Sequence, residues 1–363
     1  MTKEKSLNED KFFSLKVIQT VLIILFFGIL FFIFYQIRDI LLLSFLSIIL
    51  SLFIRSISDV FQHRFKFKHW IALSIGVLSL ILLMLIPFAT ISVPFVGQVQ
   101  KFLKNMPEFI SKLQVFLLQL NERFTFVPKS LNVEMLISRF TSNTEALLTN
   151  SISYIGVFTS SVVNFILMIA LAAFFASNPG EYNEVILRFV PPTKRRVVLE
   201  TIHEIESILR HWIVGTLLAI FFVGGFATLG FSIIGLDYFL VFGIAAGFLE
   251  IIPYFGPTLS IVAPMLYALI LTPNKVVPVL IIFLIIQFVE NYFFIPYVMR
   301  KQVDLPPAIS ILAILIFGKL LGFLGIVVGL PLFASILLIL EKILNHQSGK
   351  APRKRNLESD VLE

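Results

Sequence analysis

The residues of this sequence that could carry chemistry are carboxylates inside long apolar segments. Glu290 lies within an apolar run over residues 277–297, where an ionised carboxylate costs roughly 2.5–3.5 kcal/mol on the insertion scale. Gln287 and Asn291 fall on the same helix face as Glu290, so three polar side chains can point into one cavity. This face predicts a cation or proton site. The alternative is a structural polar clamp, for example one that pairs Glu290 with Lys319.

A second carboxylate, Glu250, precedes a Pro-Tyr-Phe-Gly-Pro string. Backbone carbonyls that Pro253 and Pro257 release from helical hydrogen bonds could coordinate a solute together with Glu250. The alternative is a helix-end charge that snorkels to water. Lys319 could hold an anionic solute or neutralise Glu290, and we prefer the pairing. The predicted substrate or ion pathway consists of Glu250, Pro253, Tyr254, Gly256, Pro257, Gln287, Glu290, Asn291, Gly318, Lys319, Gly322, Gly325 and Pro331.

Enzyme motifs fail on inspection. The chain has no cysteine, which excludes disulfides, thiolate metal sites and cysteine nucleophiles. His203 and Glu204 begin like a zinc-protease signature, but Ser207 stands where the second histidine would be. Ser232 has no evident histidine base, and no phosphate-binding glycine loop is followed by Lys-Ser or Lys-Thr. We therefore predict no catalytic residue, no metal site and no cofactor, and a protein that is not an enzyme.

The elements that must position these residues are membrane helices. Apolar residues make up 58% of the 363 residues and charged residues only 14%, and the mean hydropathy is +0.95, far above the range of soluble chains. Long apolar runs in lipid must close their own backbone hydrogen bonds, which predicts an all-α polytopic membrane protein. About eight apolar segments stand out: 17–35, 39–54, 70–92, 151–176, 211–234, 239–271, 277–297 and 308–340.

The basic residues behind the net charge of +7 lie between apolar segments and at the tails, which indicates orientation rather than a nucleic-acid partner. The first segment is interpreted as an uncleaved helix. A hairpin turn over residues 36–39 and a basic loop over residues 55–69 then predict a cytoplasmic N-terminus. The basic run over residues 188–210 is interpreted as a second cytoplasmic loop, in preference to a lipid or nucleotide site.

Residues 93–150 change to mixed charge and are predicted to form a small external helical lobe. Apolar positions from Val99 to Leu120 follow the spacing of one helix face, with Lys101, Lys104 and Glu108 opposite. That face could lie on the membrane surface, meet the same helix of a neighbouring subunit, or dock onto transmembrane helices of its own chain. The sequence does not choose among the three.

Segments 239–271 and 308–340 are too long for simple spans, because about 33 residues would reach roughly 50 Å as one straight helix. Two prolines and Gly256 interrupt the first segment, and four glycines before Pro331 interrupt the second. Each segment is predicted to be a broken helix, either a kinked span or a re-entrant hairpin. The distribution of basic residues favours hairpins.

The last third therefore contains one span and one broken pair twice over, in residues 211–271 and 277–340. Because each unit crosses the membrane once, the second must be inverted relative to the first. Inverted repeats with discontinuous helices are typical of transporters that bind substrate near the bilayer midplane.

A family resemblance rests on motifs that keep one order and spacing: Ile252-Pro253-Tyr254-Phe255-Gly256-Pro257, Asn291 through Ile295-Pro296, Pro306, Gly318, Gly322-Phe323-Leu324-Gly325 and Pro331-Leu332. In this order they resemble the autoinducer-2 exporter family of bacterial transporters, and the overall plan extends the resemblance over essentially the whole chain. Thr216 after Gly215 and Phe317 before Gly318 depart from the family pattern, which bears on substrate more than on fold. The resemblance implies a homo-oligomeric exporter of small molecules, and some family members act as sodium or proton antiporters.

We therefore expect a multi-pass transporter of the bacterial cytoplasmic (inner) membrane with both termini cytoplasmic. It would export a small polar signalling molecule, such as autoinducer-2, or a metabolite, or act as a sodium/proton antiporter. The alternatives are a non-transporting membrane scaffold and a channel-like protein. The expected partners are the lipid bilayer, a small-molecule or ion substrate and further copies of the chain, without nucleic acid. The predicted regions are transmembrane helices 1–3 (1–92), the external lobe (93–150), the fourth helix with a cytoplasmic linker (151–210), the transport core (211–340) and a basic cytoplasmic tail (341–363).

Overall fold

The computed structural model describes residues 18, 20–30, 32–123, 151–298 and 305–347. The predicted N-terminus, the end of the predicted lobe and most of the predicted C-terminal tail lie outside these residues. In chain order the helices are α1 (Thr20–Gln36), α2 (Arg38–Phe65), α3 (His69–Arg123), α4 (Ser151–Ser177), α5 (Pro179–Arg188), α6 (Arg195–Ile233), α7 (Phe239–Leu249), α8 (Phe255–Leu271), α9 (Val276–Val289), a π-helical turn (Glu290–Phe294), α10 (Ile295–Val298) and α11 (Pro307–Gln347). The chain divides into two compact units, Met1–Leu46 and Ser47–Glu363.

The predicted fold class is confirmed, since the described residues contain helices and no strand. Five helices in this part of the chain are long and apolar enough to cross a membrane, and the bent pair α4 and α5 is a sixth candidate. In the residues described, each of the eight predicted apolar segments corresponds to helical structure. Two predicted region boundaries, after residues 92 and 210, fall inside the continuous helices α3 and α6.

The first unit contains α1 and the beginning of α2. Ile37 alone separates the two helices: its N–H donates to the Ile33 carbonyl at 3.0 Å, and its own carbonyl accepts from Leu41 at 3.0 Å. Antiparallel helices are joined by about 2–5 residues. The hairpin turn predicted over residues 36–39 is therefore wrong, and the cytoplasmic position predicted for the N-terminus loses the support of that turn.

Segment 239–271 forms a helical hairpin, here called hairpin 1, from α7 and α8. The Tyr267 ring lies 5.4 Å from the Tyr238 ring and 5.6 Å from the Phe242 ring, so the end of α8 meets the start of α7. At the apex, a Cβ added to Gly256 would lie 2.2 Å from the Leu249 carbonyl oxygen. The two arms run antiparallel, as the distribution of basic residues predicted. Their lengths of 11 and 17 residues correspond to about 16 Å and 25 Å, less than one crossing each.

Helix α11, which contains segment 308–340, forms a second hairpin, called hairpin 2. Gly322 has φ 70° and ψ −151°, which interrupts the helix. A Cβ added to Gly329 would lie 3.6 Å from the Ile314 Cα, and one added to Gly318 would lie 2.8 Å from Ile326 Cγ1. Residues fifteen positions apart lie about 22 Å apart in a straight helix. The chain therefore folds back at Gly322, and the hairpin alternative holds for both broken segments.

The helices that precede the two hairpins, α6 and α9 with its π turn, are here called the lead helices. The rings of Phe222 and Phe294 stack at 4.8 Å, and Gly230 packs against Ile282. A later residue of α6 thus meets an earlier residue of α9, so the lead helices run antiparallel. This orientation is the one that the predicted inverted repeat requires.

Hairpin 1 packs tightly on the first lead helix. A Cβ added to Gly243 would lie 2.1 Å from Thr228 Oγ1, and one added to Gly247 would lie 2.6 Å from the Ile220 carbonyl oxygen. The spacing of four residues between these glycines is typical of close helix packing. The buried core at this junction comprises Val223, Ala227, Phe231, Leu236, Phe242, Ala246, Tyr267, Ala268, Val279 and Ile286.

Helix α3 joins the third predicted span to the described part of the predicted lobe without a break. Its 55 residues include Pro87, Pro94 and Pro107 and extend over roughly 82 Å, far more than a hydrocarbon core. The extension beyond the span docks on the open end of hairpin 1, where the Phe102 ring lies 5.2 Å from the Tyr238 ring and the Phe109 ring 6.3 Å from the Tyr267 ring. Of the three arrangements left open by the sequence, the structure shows docking onto the protein's own helices. The open end of hairpin 1 and the α3 extension therefore lie on the same side.

Candidate ion and solute site

Two irregularities of the backbone position the carboxylates of the candidate site. Glu250 is the first residue after α7 and begins the break at the apex of hairpin 1. Glu290 is the first residue of the π turn in the second lead helix. A π turn widens one turn of a helix and is frequent at functional sites. Both glutamates thus lie where the helical hydrogen-bond pattern changes, within segments that are otherwise apolar.

The two side chains meet. The carboxyl groups of Glu250 and Glu290 are close enough to share a hydrogen bond. Glu290 is only 3% exposed, and Oε2 of Glu250 is buried without a hydrogen-bond partner among the described residues. An ionised carboxylate only accepts hydrogen bonds, so a hydrogen bond between two carboxyl groups needs a proton.

The close approach of the two carboxyl groups disfavours the state in which both are ionised. Two negative charges at this separation repel strongly where water does not screen them. A proton or another small cation between the carboxyl groups removes that repulsion. We call Glu250 and Glu290 the carboxyl pair, and its geometry makes it the candidate site for one positive charge.

Gln287 fixes the orientation of Glu290. Its Nε2 donates to Oε2 of Glu290 at 3.1 Å, and Nδ2 of Asn291 donates to the Gln287 backbone oxygen at 2.8 Å. The two amides of the predicted polar face therefore have different contacts. Gln287 contacts the carboxylate, while Asn291 is exposed and hydrogen-bonds to the backbone of Gln287. Because the amide donor leaves the other oxygen of Glu290 uncommitted, that oxygen can face Glu250.

The remaining predicted residues of the first break lie around the same apex. Pro253 and Tyr254 lie in the break, and Gly256 and Pro257 lie in the first turn of α8. Tyr254 is 47% exposed. Turn hydrogen bonds already occupy several carbonyl oxygens at this apex. The carboxyl pair, rather than free backbone oxygens, is therefore the main polar feature there.

The predicted residues of the second break lie in hairpin 2. Within the described part of the chain, the polar contacts of the carboxyl pair come from hairpin 1 and the second lead helix. Lys319 is exposed and makes none of the ion pairs seen there, so the predicted pairing of Glu290 with Lys319 is wrong. Gly318, Gly322, Gly325 and Pro331 reverse the chain and pack the two arms.

Sequence reasoning treated Glu250 and Glu290 separately and missed their contact. The sequence contains a signal for this contact, because both glutamates are acidic residues in apolar segments, one beside a helix break and the other within a cluster of polar residues. A polar network at the open end of hairpin 1 was also missed. There Tyr267 donates to Asp237 at 3.1 Å, Asn105 donates to the Tyr238 hydroxyl at 2.8 Å, and Gln98 accepts from the Leu240 N–H at 3.1 Å.

Comparison with known proteins gives consistent matches. A family model described as AI-2E family transporter matches residues 21–345. YueF of Bacillus subtilis strain 168, provisionally named a transport protein, is 25% identical over 277 residues, which cover 73% of this chain and 74% of YueF. PerM of Escherichia coli strain K12, provisionally named a permease, is 25% identical over 276 residues, which cover 74% of this chain and 77% of PerM.

Proposed function

This chain belongs to the AI-2E transporter family, and we propose that it is an ion-coupled transporter in which the Glu250–Glu290 pair binds the coupling cation. The protein is a multi-pass membrane transporter of that family. The coupling, the cargo and the direction of transport are our proposal. The observation that carries it is the meeting of two carboxyl side chains from two different irregular segments at a buried position.

The pair exchanges one positive charge for another. A proton between the carboxyl groups can be replaced by a sodium ion without changing the net charge of the site. Because a state with two bare carboxylates is strongly unfavourable, one cation leaves only as the other enters. Exchange of this kind is the basic requirement of an antiporter.

Cation binding to the carboxyl pair also affects the relative position of hairpin 1 and the second lead helix. Glu250 lies on hairpin 1 and Glu290 on the second lead helix, so the cation attracts two separate elements to one another. Repulsion in an empty pair would separate the hairpin apex from the lead helix. The apex residues, including the exposed Tyr254, form the adjoining pathway for a small polar signalling molecule or metabolite, which the gradient drives out of the cell. We include a homo-oligomer in the bacterial inner membrane in this proposal, because the family resemblance implies one.

Reconstituted vesicles test the coupling. Purified protein carrying Glu290→Gln or Glu250→Gln is compared with Glu341→Gln, an exposed carboxylate on hairpin 2. We expect a sodium gradient to drive proton movement in the unchanged protein and in Glu341→Gln, and not in the two pair variants. Circular dichroism and size-exclusion profiles check that all variants fold.

Two outcomes would overturn the proposal. Normal ion exchange by both pair variants would show that the carboxyl pair is not the coupling site. Loss of assembly in both, without any flux from the unchanged protein under a sodium or proton gradient, would favour a membrane scaffold.

A further inference from the structure

The short helix α5 has a largely exposed apolar stripe, of which Tyr182 packs its ring 5.1 Å from the ring of Phe175 in α4. Tyr182, Val185, Ile186 and Phe189 are spaced i, i+3, i+4 and i+7, which places them on one face. Their exposed fractions are 38%, 50%, 47% and 85%, and α5 contains no buried residue. The other face carries Glu181, Glu184 and Arg188, all exposed.

The direction of α5 relates this stripe to the membrane surface. The helix axis turns by 81° between Val163–Ser177 of α4 and Pro179–Arg188. Transmembrane helices tilt on average about 20° from the bilayer normal. A helix that leaves the end of a span at this angle runs close to the membrane plane, at the depth of the interface.

The charge beside the stripe fits a negatively charged surface. Four exposed basic residues lie at the end of α5 and just after it: Arg188, Lys194, Arg195 and Arg196. Arg196 pairs with Glu200 at 2.9 Å, whereas Arg188 and Lys194 make none of the ion pairs seen in the described residues. Basic residues beside an amphipathic helix attract anionic headgroups, and the apolar face enters the boundary between headgroups and acyl chains.

We propose that α5 is an in-plane anchor that inserts its apolar stripe into the membrane interface and binds anionic lipid headgroups through the adjoining basic residues. The charge pattern favours a lipid surface over a protein partner, since exposed basic residues follow a narrow apolar stripe only a few residues long. The anchor fixes the cytoplasmic end of α4 at a defined depth. The segment from α5 to the first lead helix then starts from a fixed point at the interface. This inference does not depend on the carboxyl pair.

Spin labels on adjacent residues of α5 test its depth. The native chain lacks cysteine, so the full-length protein can carry a single nitroxide after Val185→Cys or Glu184→Cys in vesicles of phosphatidylcholine and phosphatidylglycerol. We expect the label at 185 to be reached by oxygen and not by a water-soluble nickel reagent, and the label at 184 to show the reverse. Equal access of nickel to both labels would overturn the proposal. Shielding of 185 from both reagents would also overturn it, because a protein partner would then cover the stripe.

Lipid dependence tests the basic residues. The thermal stabilisation of the purified protein by phosphatidylglycerol, relative to phosphatidylcholine, is measured with Arg188 and Lys194 both changed to Gln. We expect at least half of the stabilisation to be lost, because neither of the two basic residues removed makes an ion pair in the described chain. A matched variant with Lys101 and Lys104 changed to Gln, both exposed on the α3 extension, should keep it. An equal loss in both variants, or no loss in either, would overturn specific binding at α5.

Discussion

The two hairpins reverse the chain in different ways. Hairpin 1 turns through a break over residues 250–254 that contains a buried carboxyl group at Glu250 and a positive φ of 67° at Tyr254. Hairpin 2 turns at one residue, Gly322, and keeps helical hydrogen bonding almost to the apex. Hairpin 1 is also held at its open end by the α3 extension. Both are helical hairpins, but they differ in their contacts. Hairpin 1 has a buried carboxyl group at its apex and is contacted by the α3 extension, whereas the arms of hairpin 2 mainly pack closely on each other.

This difference indicates a division of labour within the proposed repeat. A longer apex leaves room for a side chain that contacts a second element, as Glu250 contacts Glu290. The single-residue apex at Gly322 carries no polar side chain, and its nearest charged residue, Lys319, is exposed. We therefore expect hairpin 2 to tolerate loss of its charge and hairpin 1 to depend on its carboxylate.

The largest effects on stability are expected where backbone closes each apex. A Cβ at Gly325 would lie 2.1 Å from the Phe317 carbonyl oxygen, and one at Gly256 would lie 2.2 Å from the Leu249 carbonyl oxygen. Because backbone atoms cannot move aside, Gly325→Ala and Gly256→Ala should each destabilise the protein by about 3 kcal/mol. Thermal unfolding in detergent measures the loss. Gly225→Ala, where nothing lies within 4 Å, is the control, and an unchanged transition in either apex variant would mean that the hairpin in question is open.

A smaller effect is expected at the turn residue of hairpin 2. Gly322 has φ 70° and ψ −151°, a conformation that is essentially restricted to glycine. Its Cβ position is open, with nothing within 4 Å, so Gly322→Ala adds backbone strain of about 1–3 kcal/mol without a steric clash. The same unfolding assay should rank Gly322→Ala between Gly225→Ala and Gly325→Ala. A loss as large as that of Gly325→Ala would contradict the single-residue turn.

The sequence was sufficient to predict both breaks, because proline and glycine in overlong apolar segments act on the local backbone, and the distribution of basic residues favoured hairpins over kinked spans. It did not predict the exact break of hairpin 1, since Gly256 and Pro257 lie inside the first turn of α8. Proline is tolerated near the start of a helix, where its missing N–H is not needed. Helix α3 was divided in the prediction because composition changes after residue 92, yet Pro94 does not interrupt the helix.

The candidate site was only half predictable. The polar face with Gln287 and Glu290 followed from helical spacing, and their hydrogen bond at 3.1 Å agrees with it. The contact between Glu250 and Glu290 depends on the packing of hairpin 1 against the second lead helix. Nothing local specifies that packing. The pairing with Lys319 failed for the same reason, because a charge-balancing argument does not include the direction in which hairpin 2 presents its side chains.

The hydrogen bond between the α3 extension and hairpin 1 should make a moderate contribution to the free energy of unfolding. Asn105 donates to the Tyr238 hydroxyl at 2.8 Å, next to the contact of Tyr238 with Phe102. Asn105→Ala should cost about 1 kcal/mol, the usual net value of such a hydrogen bond. A double-mutant cycle with Tyr238→Phe measures the coupling in the unfolding assay. If the two single changes add without coupling, the hydrogen bond does not hold the α3 extension to hairpin 1.

The smallest effect is expected at the ion pair that joins hairpin 2 to the first lead helix. Nζ of Lys342 lies 2.6 Å from Oε1 of Glu204, with side chains 22% and 47% exposed, so water screens the pair and its contribution should be only about 0.2–1 kcal/mol. Salt shortens the range of such interactions. The destabilisation caused by Lys342→Gln should therefore disappear at high ionic strength, whereas that caused by Asn105→Ala should persist. Unfolding of both variants at low and high salt makes the comparison, with Glu204→Gln as the matched partner variant. A salt-independent loss in Lys342→Gln would mean that the packing of its aliphatic chain, and not its charge, attaches hairpin 2 to the lead helix, and the contrast between the two hairpins would then be one of degree.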